Sequence, residues 1–415
     1  MKLKDVKMKF YELPPAKRRE LLKQQGIELD EIDPEVLDEL NLLSENVVGQ
    51  LRLPVSIVQN LRVNGQNYQV PMATEEPSVV AAANHGASIA AKAGGFIAES
   101  HRDGIWGQII LQVSEDFQVA KLQVLFPELI KLTNNKFASL VNHGGGVKTI
   151  TAKQEAELLF LKILVDPAEA MGANKVNSIL EYMGAKLAAC PGIEQKLFAI
   201  LSNYPSQITK VKVEVPVAII GGRKTAQKIA LLSKIGQTEP MRAVTNNKGI
   251  MNGIDAVLLA TGNDTRAVAA ACGVWSSSSG SYTSLSEWIV QEDKLIGQLS
   301  VPLPIGTVGG SINSRKDIKQ SYRILGRNIT SNQLADIIAS IGLANNLAAL
   351  LAIATQGIQK GHMKLQARNI VASLNATSQE QKAVLQKLVS SKKYSLAAAR
   401  EFLQEVRKEN NASRN

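Results

Sequence analysis

The sequence predicts an α+β protein: a large helix-rich domain, a smaller unit inserted into it, and a helical C-terminal tail. Three observations predict this. Between Trp106 and about Val215, three apolar strand runs are interleaved with two helices, a texture found nowhere else in the chain. On either side, small-residue helices and short apolar strands dominate. No G-x-G-x-x-G follows a strand, so a Rossmann dinucleotide fold has no support. The 415 residues suffice for two or three domains with substantial cores.

Residues 1–45 read as helical, with Pro14-Pro15 and Pro34 opening helices, since proline suits a first turn. Residues 51–72 alternate like strands, and Val63-Asn64-Gly65-Gln66 supplies a hairpin turn between Leu61 and Tyr68. A small-residue helix follows over Val79 to Ala91. In the small unit, Ile109–Val113, Leu159–Val165 and Val211–Val215 read as strands, and Lys121–Asn134 and Ala173–Leu187 as helices. The aliphatic stretch Leu343–Ala354, interrupted by Asn345 and Asn346, reads as a buried helix. From Gln356 the chain is helical and increasingly charged.

Composition narrows the function. The net charge is +10, but aromatics are only 4% and no reading helix or aromatic platform accompanies the basic residues. Nucleic acid is therefore not expected, whereas a polyanionic nucleotide is a suitable partner. No charge-free apolar run reaches the ~18 residues of a membrane span, and the N-terminus lacks a secretory core, so a cytoplasmic protein is expected. Cys190 and Cys272 read as buried thiols with no zinc or redox spacing. His85, His101, His143 and His362 are too scattered for a metal site.

The chemistry concentrates in Lys248 to Asp264. Here a lysine and an aspartate flank an apolar run, each beside glycine. Read as a strand, Ala256–Ala260 would carry both charges to one pocket edge. An ammonium beside a carboxylate suits an oxyanion forming on a carbonyl. Taken singly, both residues have ordinary roles: Lys248 as a solvated turn residue, Asp264 as a helix N-cap.

Four other fragments accompany this one in order: Glu45-Asn46-Val47-Val48-Gly49, Thr74-Glu75-Glu76-Pro77-Ser78, Asp166-Pro167-Ala168-Glu169-Ala170-Met171-Gly172-Ala173-Asn174 and Gln359-Lys360-Gly361-His362-Met363. Together they resemble 3-hydroxy-3-methylglutaryl-coenzyme A (HMG-CoA) reductase of the soluble, bacterial-type class, over roughly residues 40 to 370. The resemblance implies reduction of the HMG-CoA thioester to mevalonate and free coenzyme A by two NADH or NADPH, through a mevaldehyde intermediate. The same residues would serve the reverse, oxidative direction.

It also implies an architecture. Residues 1–106 and 217–355 would form the large substrate-binding and dimerisation domain, with a central helix and a short sheet. Residues 107–216 would form a ferredoxin-like, non-Rossmann dinucleotide domain, and 356–415 a mobile helical flap. By the same resemblance, Lys248 stabilises the thioester and aldehyde oxygen, Asp264 holds the lysine–glutamate network and Glu76 supplies a proton. His362 protonates the departing thiolate. Ser78, Arg242 and Asn252 contact the hydroxymethylglutaryl end. Asp166, Met171, Gly172, Ala173 and Asn174 approach the cofactor, with no metal. The segment Glu45–Gly49 reaches a neighbouring subunit, which implies a homodimer, assembled further as a trimer of dimers.

Two points stay open at this level. A helix start and a nearby ammonium both favour an ionised Glu76, whereas a proton donor must be an acid. An acidic group at a strand end favours a free ribose 2′-hydroxyl, so Asp166 leans toward NADH, while Lys175 would serve NADPH.

Overall fold

Proline and capping chemistry start the helices of the N-terminal unit as the sequence predicts. Pro15 opens α1 (Pro15–Gln24) and Pro34 opens α2 (Pro34–Asn41), where Asp33 accepts from the Glu35 amide. The computed structural model describes residues 8–114, 116–310, 312–326, 328–355 and 367–412. It separates into two compact units, Met1–Pro54 and Val55–Asn415. Within the first, Arg18 is buried and its guanidinium donates to four acceptors: the carbonyls of Phe10, Tyr11 and Val47, and Asn41 Oδ1. Arg19 donates to the Val48 carbonyl at 2.6 Å. Two arginines thus fold the Glu45–Gly49 segment back onto α1, with Asn46 in a left-handed conformation.

The second unit opens with the predicted hairpin, β1 (Val55–Val63) and β2 (Gln66–Ala73), turning on Asn64-Gly65. Both turn residues have positive φ, the condition that makes Asn-Gly the favoured two-residue turn. Helix α3 (Val79–Lys92) packs on this hairpin and against a long central helix. The principal sheet is antiparallel in the order β3 (Ile97–Ser100), β8 (Ile208–Pro216), β10 (Lys294–Pro302), β9 (Ser286–Gln291).

A second antiparallel sheet has the order β5 (Gly146–Glu155), β6 (Leu158–Asp166), β4 (Ile105–Val113), β7 (Ile193–Leu201). Short helices α4 (Val119–Gln123), α5 (Phe126–Lys136) and α6 (Ala138–Asn142) connect β4 to β5. Helix α7 (Ala173–Leu187) connects β6 to β7. One face of this sheet is sealed: Ile109, Leu111, Leu161, Ile163 and Val165 share a core with Val176, Ile179, Leu180 and Met183 of α7. By strand alternation, Trp106, Ile110 and Leu164 belong to the opposite face. The Val211–Val215 strand, expected in this unit, instead pairs with β3 and β10 in the principal sheet. Its alternating pattern fits either sheet, and only register with its partners distinguishes them.

The remaining helices are α8 (Arg223–Thr238), α9 (Pro240–Ala260), α10 (Thr265–Ser276), α11 (Lys316–Leu325) and α12 (Ser331–Thr355). The expected strand over Ala256–Ala260 is the last turn and a half of α9. Ala, Leu and Val at these positions extend a helix already started by Glu239 and Pro240, and Ala256 and Leu258, on opposite sides of it, are both buried. Such two-sided burial removes the amphipathic signature of a helix.

Helix α12 is long and apolar enough to cross a membrane, unlike the expectation that no such segment exists. Yet 78% of its most apolar window is buried inside the fold. Small residues let its neighbours approach: a side chain on Gly86 of α3 would collide with the Ala344 backbone, and one on Gly253 of α9 with Asn345. At the C-terminal end, α13 (Ser378–Ser391) and α14 (Leu396–Ala412) share a separate small core with Ala367 and Val371.

The cysteines divide rather than both being buried. Cys190 is only half-buried, whereas burial and the nearby Asp255 push the Cys272 thiol up to about 12. Because the thiolate is the nucleophile, native protein treated with iodoacetamide near pH 8 should take up one label, at Cys190. Two labels in the native state, counted by intact mass, would contradict this burial; denatured protein should take both.

Candidate active site

Strand β2 ends at Ala73 and α3 starts at Val79, leaving a five-residue connection that carries Glu76. The Glu76 amide donates to Thr74 Oγ1 at 3.2 Å. Ser78, the residue before the helix, has φ of 80°, a conformation that strains a non-glycine residue. The connection therefore presents Glu76 from a shaped loop end, a feature common at ligand-facing sites.

Opposite it stands α9. Lys248 Nζ donates to Glu76 Oε2 at 2.7 Å, across 172 positions of sequence. The two side chains are 60% and 39% exposed, so the pair lies at an open surface. An exposed ion pair contributes at most about 1 kcal/mol to stability, so the fold does not depend on this contact. Asn252 and Asp255 follow Lys248 at i+4 and i+7 and share its stripe of the helix. Arg242 does not: six residues earlier is a different face, and its guanidinium approaches Asn246 Oδ1 at 3.5 Å. Burial lowers the Arg242 pKa from its ordinary value.

Asp264 caps α10. Its Oδ1 accepts from the amides of Arg266 and Ala267 at 2.9 and 3.2 Å, and from Arg266 Nε at 3.2 Å. Burial raises its pKa, but the Arg266 guanidinium and the helix amides outweigh that, leaving it below the usual aspartate value. The capping role expected of it is real. Within this chain its hydrogen bonds run to α10 and Arg266, whereas Lys248 pairs with Glu76.

What links Asp264 to the small sheet is its neighbour. Asn263 Oδ1 accepts from the Gly306 amide at 2.8 Å. The Gly306 region in turn meets the turn before α7: the Thr307 amide donates to the Glu169 carbonyl at 2.8 Å, and Ala170 bridges Val308. Glu169 Oε2 also accepts from the Ser331 amide at the start of α12, at 2.6 Å. No side chain fits on Gly306, because its Cβ would collide with the backbone of Ala170 and Met171. Asn263, Glu169 and Gly306 were missed as site-building residues. Gly306 opens a glycine-rich run, Gly306-Thr307-Val308-Gly309-Gly310, and serves close backbone packing there.

Gly172 precedes α7 with φ of 88°, and in its first turn Ala173 is half-buried and Asn174 exposed. A 15-residue helix beginning at a glycine is suited to a phosphate group. Met171 stands beside this start. Asp166 does not face it: strand alternation puts its side chain on the sheet face opposite α7. There its carboxylate accepts from the Ala168 amide at 2.9 Å and meets Lys148 Nζ at 3.3 Å. His362 lies outside the described residues. Among the described residues no cluster of His, Cys, Asp or Glu could hold a metal ion.

Asp255 was not anticipated. Its Oδ1 is buried without a hydrogen-bond partner among the described residues, and burial pushes its pKa up to about 6. A carboxyl whose folded-state value exceeds its ordinary 3.8 stabilises the fold fully only below that value. The contribution is lost as pH rises through about 6. Asp255→Asn should therefore stabilise the protein near pH 8 by on the order of 2 kcal/mol, discounted for partial exposure. The gain should vanish at low pH. A pH series of urea unfolding checks this; a gain that grows on acidification would contradict it.

The family model for hydroxymethylglutaryl-coenzyme A reductase matches residues 14–367. The chain is 37% identical over 378 residues to the 3-hydroxy-3-methylglutaryl-coenzyme A reductase of Archaeoglobus fulgidus, covering 89% of this chain and 86% of that protein. It is 38% identical over 379 residues to a probable enzyme of the same name from Borreliella burgdorferi, covering 88% and 87%. Its fold is similar to the Streptococcus pneumoniae reductase, with a TM-score of 0.73 at 38% identity over 96% of this chain and 99% of that one. The class II enzyme of that organism bound to NADPH in open conformations gives 0.74 at 39% identity, covering 94% and 99%. By sequence along most of its length and by fold, the chain belongs to the hydroxymethylglutaryl-coenzyme A reductase family.

Proposed function

We propose that this HMG-CoA reductase carries out both hydride steps, thioester to mevaldehyde and mevaldehyde to mevalonate, at the Lys248–Glu76 pair. The observation that carries the reading is the 2.7 Å contact between Lys248 Nζ and Glu76 Oε2, made by two residues from separate motifs. Each hydride added to a carbonyl carbon leaves negative charge on its oxygen, and a fixed ammonium stabilises that charge. Glu76 holds the ammonium in place and relays protons between it and the surroundings. Asp264, pinned through Asn263 and Gly306, sets the far edge of the site. His362 protonates the departing coenzyme A thiolate, whose pKa near ~8.5 suits an imidazolium donor. Ser78, Arg242 and Asn252 receive the hydroxymethylglutaryl end.

The β-α-β-β-α-β order of the small sheet supports a ferredoxin-like dinucleotide domain, with the pyrophosphate at Gly172, Ala173 and Asn174. The nicotinamide supplies hydride when bound. Asp166 is engaged by Lys148 and turned from α7, so the ribose argument for NADH loses its support. Lys175, in the first turn of α7, and the NADPH carried by the Streptococcus pneumoniae relative support NADPH. The Glu45–Gly49 segment completes the site of a second copy, so the active unit is a homodimer, assembled as a trimer of dimers. The residues from 356 onward act as a flap, and the enzyme is cytoplasmic.

The test is to follow reduced-nicotinamide absorbance with HMG-CoA and each cofactor. Two cofactors should be oxidised per thioester consumed. Silence with both would overturn the proposal.

A further inference from the structure

Asn246 and Asn247 stand immediately before Lys248 on α9, yet they are only 6% and 2% exposed. The other buried positions of this helix are apolar. Each amide is fully engaged. Asn246 Nδ2 donates to Ser284 Oγ at 2.6 Å and to Ser286 Oγ at 3.1 Å, and its Oδ1 accepts from Asn346 Nδ2 of α12 at 2.8 Å. Asn346 Oδ1 in turn accepts from Ser286 Oγ at 2.9 Å and from Trp288 Nε1 at 2.7 Å. Asn247 Nδ2 donates to the Thr283 carbonyl, and its Oδ1 accepts from the Leu285 amide, both at 2.9 Å. In this way α9, α12 and the chain entering β9 meet in one buried polar network. Asn346 is one of the two asparagines that interrupt the aliphatic stretch of α12, and the network is what it serves there.

Apolar packing alone leaves the rotation of α9 loosely defined. Where α9 meets α12, Gly253 leaves no room for a Cβ beside Asn345 and Ile341, and Gly342 none beside Ile254 and Ile250. Such contacts set how closely the helices approach. Burial is non-directional, however, and does little to fix a helix about its own axis. Hydrogen bonds between buried amides are directional and costly to leave unmade, which is how buried polar groups fix the register of helices. At about 100° per residue, Asn246 lies roughly 200° around α9 from Lys248, so the network grips one side and the lysine projects from the other. Arg242 sits one turn before Asn246 on the gripped side, with its Nη2 at 3.5 Å from the same Asn246 Oδ1.

From this geometry we infer that Asn246, held by Asn346, Ser284 and Ser286, is a positioning residue for the reductase reaction. It sets the rotation of α9 that aims Lys248 at Glu76, and it orients the Arg242 guanidinium. The inference rests on the roles proposed above for Lys248 and Arg242. Both charged groups are referred to one buried amide, so a turn of the helix misplaces them together.

Asn246→Leu keeps the bulk of the side chain and removes its hydrogen bonds. Assayed well below its melting temperature, it should lower kcat by about tenfold and raise the KM for HMG-CoA by about fivefold, with the dinucleotide KM within about twofold of wild type. Asn246→Asp offers oxygens to Asn346 and to the two serine hydroxyls, which rotate to donate, so kcat should recover to within about threefold of wild type. A second readout is independent of turnover. The lysines are reductively methylated with isotope-labelled formaldehyde, and the Lys248 resonance is identified by its absence from Lys248→Ala. In Asn246→Leu it should move at least halfway to its position in Glu76→Gln, where the ionic partner is gone. A resonance that stays at its wild-type position overturns the inference, as does a dinucleotide KM that rises in step with that for HMG-CoA. If Asn246→Leu does not fold, Ser286→Ala, which deletes one hydroxyl of the same network, is read in the same way. A resonance that moves in Asn246→Leu, while the wild type is silent in the absorbance assay, would sink the reductase reading alone.

Discussion

Lys248→Ala should lower kcat by about 10³-fold, the cost typical of removing a principal oxyanion donor, while leaving the melting temperature nearly unchanged. The two expectations come from the same contact. At the surface, the Lys248–Glu76 pair is open to water, with its side chains 60% and 39% exposed, so deleting it removes at most about 1 kcal/mol of stability. In catalysis the same ammonium faces a charge that exists only after hydride has arrived, so its whole effect falls on the transition state. Lys248→Arg should recover little, because a planar guanidinium cannot place a compact charge where Nζ lies, 2.7 Å from Glu76 Oε2. Steady-state kinetics with saturating HMG-CoA, alongside thermal melts, measure both. A variant retaining more than about a tenth of wild-type kcat would remove Lys248 from the chemistry, since general electrostatic effects alone reach that size.

Gly306→Val should raise the KM for the reduced dinucleotide by more than about tenfold and destabilise the fold by about 2 kcal/mol, since overpacking at a backbone contact forces one element to move. The atoms in the way are the backbone of Ala170 and Met171, which cannot swing aside as a side chain would. Either the turn that starts α7 retreats, or the Gly306 amide leaves Asn263 Oδ1 and loosens the approach to Asp264. Gly249→Ala is the control. A Cβ at Gly249 meets nothing within 4 Å, and alanine in a helix interior is favoured over glycine, so stability should rise slightly. An unchanged dinucleotide KM in Gly306→Val would show that the 306–308 segment does not set the position of α7.

These two predictions differ in how far sequence reading anticipated them. Lys248 stood out because an ammonium and a carboxylate flanked a core run, and because the surrounding motifs resembled a known family. Even so, the strand expected between them is the end of a helix. The run Ala256–Ala260 carries a β-branched valine and no polar position, and a short run of that kind does not distinguish a strand from a helix buried on two sides. The start signals that would have decided the matter, Glu239 as cap and Pro240 in the first turn, lay 16 or more residues upstream of the run. As a helix, α9 carries Lys248 and Asn252 on one stripe and turns Arg242 to another face, a distinction invisible in a list of motifs. Gly306 carries no such signal, because a glycine needed for close packing looks the same in sequence as one needed for a turn.

The sequence by itself determined the local elements whose signals are complete within a few residues. The Asn64-Gly65 turn, the α7 helix from Ala173 to Leu187, the proline-opened helices and the capping role of Asp264 are of this kind, because φ preferences, caps and periodicity act over one or two turns of chain. Through its motifs it also indicated the family. Only the tertiary structure decided which partners those elements took. It put β8 in the principal sheet, set Lys248 against Glu76, turned Asp166 from α7 toward Lys148, and brought Glu169 and Gly306 together beside Asn263. Each of these depends on register or packing between segments far apart in the chain. Such contacts form where burial and hydrogen-bond satisfaction are settled for the whole fold at once, and no window of sequence contains that information.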